Sequence, residues 1–144
     1  MRLVVKIQGV YNEEFYKIYT KHKNCMYAMY KLYSVGESHS YLWFMLVNEN
    51  DELVGECSIQ NKSKCIVRTF ELHDVCIVEK FRGNNFALLM IVNVLYYLDT
   101  LYHTYNYIIK AHDDNYPAIK TYTKIAGNPV YKNGFAFFEN INSF

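Results

Sequence analysis

Hydrophobic and polar positions along this chain change pattern near Val78. In the first half, residues 3–7 form a short β-branched run that predicts a strand. Asn12 then stands as an N-cap, with Glu13 and Glu14 in the first helical turn where the helix dipole favours acids. Phe15, Ile18, Tyr19, Met26, Met29, Tyr30 and Tyr33 recur near helical spacing until Gly36, as one long helix or two shorter ones. Residues 40–47 and 53–60 are rich in strand formers, and the turn residues 48–51 between them make the pair a hairpin. After a polar turn at 62–64, residues 66–78 predict a third long strand.

The second half reads differently. Residues 85–102 are apolar almost all round and predict a buried or half-buried helix. Tyr107, Ile109 and Ala111 alternate with Asn106, Ile108 and Lys110 in a strand over 105–111. Asp114 or Asn115 caps a helix that has Pro117 in its first turn, runs to Ile125 and stops at Gly127 and Pro129. Residues 131–139 supply a last apolar strand or pair of strands. Strand, helix, strand, helix after an antiparallel hairpin implies an α/β (α+β) domain. Its mixed sheet has antiparallel N-terminal strands and one parallel crossover, flanked by helices. No repeat, linker or charge run divides residues 1–144, so the chain is read as a single domain.

Composition narrows the function classes. Half the residues are apolar, enough for a core, and 15 basic residues against 14 acidic ones argue against a general nucleic-acid binder. The N-terminus has neither the length nor the pattern of a signal peptide, and the apolar stretch 86–98, broken by Asn93, is too short to span a bilayer. The expectation is a soluble, cytoplasmic protein without membrane association, with monomer and homodimer both open. Cys25, Cys57, Cys65 and Cys76 lack CxxC spacing and read as free thiols; Cys76 and His73 have no partners at metal-ligand spacing, so no metal is expected. The 15 tyrosines read mainly as packing residues at the edge of the core.

The chemistry concentrates in residues 72–89, where a strand meets an Arg-Gly turn and then the start of an apolar helix. The first amides of a helix lack intrahelical acceptors and the macrodipole is positive there, so this junction suits an anion. Arg82 adds a cation, and Gly83 lets the backbone approach a ligand. The ordered set Arg82, Gly83, Phe86 and Ala87 resembles the acyl-coenzyme A loop of the GNAT acetyltransferases, with Asn85 where that family usually has Gly. Asn is among the least strained non-glycine residues at positive φ, so the turn can survive. A second set downstream, Asn115, Ala118, Ile119, Tyr122, Lys124 and Gly127, matches another GNAT pattern in the family's order.

The resemblance implies an N-acetyltransferase that moves an acetyl group from acetyl-coenzyme A to an amine, of a small molecule or a protein, by direct attack. The loop Arg82, Gly83, Asn84, Asn85, Phe86 and Ala87 would hold the coenzyme A pyrophosphate. Cys76 and Val78 would offer main-chain groups to pantetheine, and Asn115 and Tyr122 would face the cofactor from the following helix. An amine is protonated at neutral pH, so such a site needs a proton acceptor as well as a proton donor for the leaving thiolate. Tyr122 is the candidate donor. Glu71, His73 and Asp74 are the candidate bases; period-2 alternation puts Glu71 and His73 on one face and Asp74 on the other unless a bulge intervenes. The alternative is a GNAT-like protein that binds coenzyme A or a protein partner without acetyl transfer.

Overall fold

The computed structural model describes residues 1–22, 41–63 and 68–143, with side chains through residue 139. The helical positions expected from Met26 to Gly36, together with Cys25, Cys65 and Ile66, lie outside those residues. Seven strands form one sheet: β1 (Arg2–Ile7), β2 (Leu42–Val47), β3 (Leu53–Asn61), β4 (Thr69–Ile77), β5 (Thr104–His112), β6 (Val130–Lys132) and β7 (Phe135–Ser143). Their spatial order is β1-β2-β3-β4-β5-β7-β6. Among the described strands only β4 and β5 run parallel, joined by the crossover helix α2 (Phe86–Leu101). Helix α1 (Glu13–His22) covers one face through Phe15, Ile18 and Tyr19, while α2 and α3 (Tyr116–Ala126) cover the other.

Local chemistry fixes these elements. Asn12 accepts the Phe15 amide at 3.2 Å and donates to the Val5 carbonyl at 2.7 Å, so one side chain both starts α1 and ties it to β1. Asn48 accepts the amides of Asn50 and Glu52 and closes the β2–β3 turn. On α2 the buried residues are Met90, Ile91, Val94 and Leu98, a single stripe. Leu89, Val92, Tyr96 and Leu101 are exposed on the rest of the helix, which is therefore half-buried despite its apolar sequence.

Two irregularities in the centre of the sheet position the site. The pairing of β4 with β5 involves only Thr69 to Glu71, opposite Asn106 to Ile108. Beyond Glu71, β4 continues to Ile77 and β5 to His112 without pairing each other, while β5 stays bonded to β7 along its length. A wedge-shaped gap opens between them. Within that free half, Ser58 pairs with His73 and Glu56 with Cys76, so β4 carries one more residue than β3. The extra residue makes a β-bulge, and Asp74 adopts φ 56° in it.

Candidate active site

The bulge sets which atoms of β4 face the gap. Before it, Phe70 and Leu72 point to the α2 side; after it, Val75 and Ile77 do. The Val78 amide donates to the Val54 carbonyl at 2.8 Å. The Cys76 carbonyl lies against Gly55, 3.1 Å from where a Cβ would stand. The Val78 amide and the Cys76 carbonyl are thus turned to β3, and the Val78 carbonyl accepts the Phe81 amide at 2.9 Å. By the alternation of an antiparallel ladder the amide and carbonyl of Ile77 and the carbonyl of Val75 face the gap. The expectation was that Cys76 and Val78 offer main-chain groups to a ligand; here the Val78 amide and carbonyl are taken by Val54 and Phe81, and the Cys76 carbonyl is turned to β3. Cys76 still borders the cleft, whereas Val78 does not.

After β4 a single 3₁₀ turn, Glu79–Phe81, leads to the loop before α2. Arg82 donates from Nε to the Ile77 carbonyl at 2.9 Å, which fixes its guanidinium at the mouth of the gap. Gly83 at φ 83° and Asn85 at φ 60° take left-handed conformations and bring the chain into α2. The Asn85 side chain makes no capping bond, and the first amides of α2 have no acceptor within the helix. Asn84 instead donates to the Phe81 and Arg82 carbonyls at 3.1 and 3.3 Å and lies outside the cleft wall, so it holds the loop rather than facing a ligand. Arg82, Gly83, Asn85, Phe86 and Ala87 do line the cleft, whose volume is about 620 Å³.

Helix α3 forms the opposite wall. Asn115 caps it by accepting the Ala118 amide at 3.3 Å, and Pro117 occupies its first turn. Asn115, Ala118 and Tyr122 face the cleft, whereas Ile119 packs on the core. Tyr122 is buried, with its ring edge-on to Phe138 at 5.6 Å. Burial, and secondarily the neighbouring Cys57, push its phenol up to about 12, so it stays protonated at neutral pH.

The polar residues of β4 lie on the α1 side of the sheet. His73 Nε2 is 3.3 Å from Glu71 Oε1, without hydrogen-bond geometry, and Lys110 Nζ is 3.8 Å from the same carboxylate oxygen. Ser58, 1% exposed, is the register partner of His73, and its hydroxyl also has no hydrogen-bond partner. Burial lowers the His73 pKa; Glu71 and Asp74 draw it back up, and Lys110 and Lys62 add to the lowering. The imidazole is therefore neutral at pH 7 and able to accept a proton.

The gap in the parallel strand pair is thus flanked by an arginine and a helix N-terminus. The chain matches the Acetyltransferase (GNAT) family over residues 5–127. It belongs to that family. Solved structures agree on the fold at low sequence identity. NAA60 of Arabidopsis thaliana in complex with a bisubstrate analogue is 13% identical with TM-score 0.64, covering 98% of each chain. The spermidine/spermine N-acetyltransferase SpeG of Vibrio cholerae is 15% identical with TM-score 0.64, covering 97% of this chain and 95% of that one. The ribosomal-protein-S18-alanine N-acetyltransferase of Escherichia coli is 8% identical with TM-score 0.64, covering 99% and 96%. No curated protein matches the chain in sequence.

Within this GNAT domain the expected residues divide between two faces. Arg82, Gly83, Asn85, Phe86, Ala87, Asn115 and Tyr122 surround the cleft. Glu71 and His73 sit across the sheet, with Asp74 at the bulge between. Val75, Ile77, Lys120 and Thr121 also line the cleft and escaped the sequence reading. Lys120 carried a signal, since it stands one helical turn before Lys124 of the second motif. Ile77 carried none, because the strand phase depends on a bulge that nothing in the local sequence marks. Among the described residues no group of three or more His, Cys, Asp and Glu could hold a metal ion, and no helix is long and apolar enough to cross a membrane.

Proposed function

We propose that this GNAT protein transfers the acetyl group of acetyl-coenzyme A to an amine by direct attack. The observation that carries the reading is the unpaired half of β4, which turns free main-chain groups toward a cleft bounded by a helix N-terminus and a buried phenol. The Val75 carbonyl and the Ile77 amide suit the pantetheine amides, as an added strand pairs with an open sheet edge. The α2 amides and the Arg82 guanidinium suit the pyrophosphate. Neighbours of the same fold were solved with such ligands: NAA60 with acetyl-CoA, and the NatC complex with CoA and Gag peptide.

The chain's own groups divide the proton work across the gap. Tyr122 approaches from the α3 side as a protonated phenol and suits donation to the departing thiolate. His73 approaches from the α1 side as a neutral imidazole and suits removal of the amine proton, directly or through a water. Glu71 beside it stabilises the imidazolium that forms. Asp74 shapes the bulge that opens the gap. Donor and acceptor would thus enter from opposite faces of the sheet and meet where β4 and β5 part.

Thiol release from acetyl-coenzyme A, measured with a panel of peptide N-terminal amines and polyamines, tests the reading. Amine-dependent release abolished by Tyr122→Phe supports it. Tight coenzyme binding without release for any amine in the panel supports the non-transferring alternative.

A further inference from the structure

The charge on the cleft wall exceeds what a pyrophosphate requires. The wall carries Arg82, Lys120 and Lys124 and no carboxylate, in a chain whose 15 basic residues otherwise nearly balance 14 acidic ones. Arg82 and the α2 amides already address one pair of phosphates. Lys120 and Lys124 stand on α3, the other wall, one helical turn apart and exposed. Three other lysines do have carboxylate partners: Lys17 with Glu13 at 3.6 Å, Lys80 with Glu52 at 2.6 Å and Lys110 with Glu71 at 3.8 Å. Neither cleft lysine has an ion-pair partner among the described residues. Like charges at this helical spacing repel each other, and nothing on α3 relieves them.

We infer that Lys120 and Lys124 form a phosphomonoester site that takes the ribose 3′-phosphate of coenzyme A, so that the cleft discriminates coenzyme A from its 3′-dephospho form. A phosphomonoester has a second pKa near about 6 and is mostly dianionic at neutral pH, a charge that two ammonium groups match. Two flexible lysines give a point-charge site rather than a bidentate fork, which fits a terminal phosphate free to rotate. The inference rests on the acyl-coenzyme A reading of the cleft and adds to it a determinant outside both sequence motifs, Lys120.

The test compares acetyl-coenzyme A with acetyl-3′-dephospho-coenzyme A by calorimetric titration of the full chain. Three proteins are titrated: wild type, the double variant Lys120→Gln/Lys124→Gln, and Lys17→Gln as a charge control away from the cleft. Wild type and Lys17→Gln should bind acetyl-coenzyme A about tenfold or more tighter than the dephospho form, as expected for charge-assisted contacts. The double variant should lose that preference to within about twofold, with its affinity for the dephospho form unchanged. Both lysines are exposed, so its melting temperature should match wild type. Equal wild-type affinity for both ligands overturns the inference alone, as does a double variant that weakens both ligands alike. Binding of neither ligand by wild type overturns the acyl-coenzyme A reading and this inference with it.

Discussion

The two halves of β4 belong to one strand and do opposite things. From Thr69 to Glu71 the strand is paired on both sides, with β3 and with β5, and Phe70 stacks among Tyr41, Tyr102 and Tyr105. From Val75 to Ile77 it is paired with β3 only, and its other edge looks into the cleft. The first half satisfies its backbone polar groups within the protein and contributes to stability. The second leaves polar groups open, which a strand in a folded interior does not do without a partner. Between them lies one extra residue, Asp74, in a conformation that disfavours continued regular pairing. The cleft opens where sheet pairing stops.

The comparison can be broken most forcefully from the paired half. Phe70→Ala should remove about 3–5 kcal/mol of stability in urea unfolding, because it empties a fully enclosed site among three aromatic rings. A loss below about 1 kcal/mol would mean that this half does not anchor the sheet. In the cleft half, Tyr122→Phe keeps the ring and its contact with Phe138, so stability and coenzyme affinity should hold while kcat falls about a hundredfold or more. Unchanged kcat with chemistry shown to limit turnover would reduce Tyr122 to a packing residue. Arg82→Ala should weaken acetyl-coenzyme A binding about tenfold, close to 1.5 kcal/mol, and leave stability within about 0.5 kcal/mol.

How much of this was legible in the sequence follows the same division. The hairpin, the crossover helix and the Asn12 and Asn115 caps were readable because each depends on neighbours a few residues away. The turn from Arg82 into α2 was readable because its arginine, glycine and helix start are consecutive. The phase of β4 was not: Cys76 and Val78 were expected from the family resemblance alone, and a bulge at an ordinary Asp sets which groups face the gap. The exposed stripe of α2 was also hidden, since its sequence is apolar on every side and only packing on the sheet chooses Met90, Ile91, Val94 and Leu98. The open end of the β4–β5 pair rests on long-range geometry and left no local mark.

Two smaller effects sharpen the account. The lowered pKa of His73, caused first by burial, keeps the imidazole neutral further into acid than the ordinary value near about 6.5. In the pH profile of kcat/KM the acidic limb should therefore begin below that value, and His73→Gln should abolish the limb along with most of the activity. The same shift has a stability consequence. The unfolded chain protonates this residue first as pH falls through about 6.5, so the native state loses stability from there down to the folded pKa. A limb at or above the ordinary imidazole value would contradict the burial argument. Smallest of all, Asn85→Gly should leave coenzyme binding intact or slightly tighter, because φ 60° suits Gly and the Asn side chain caps nothing. Abolished binding would show that the Asn85 side chain is itself a ligand.

The central claim, that the unpaired edge of β4 receives the acyl donor, is tested most directly by amide hydrogen exchange with and without saturating acetyl-coenzyme A. The Cys76 and Val78 amides are already turned to β3, while the Ile77 amide and the first amides of α2 face the cleft. The account predicts a marked slowing at Ile77 and at Phe86 and Ala87, with little further change at Cys76 and Val78. Slowing at Cys76 and Val78 with Ile77 unaffected, or no slowing along β4 while the ligand is shown to be bound, would contradict it.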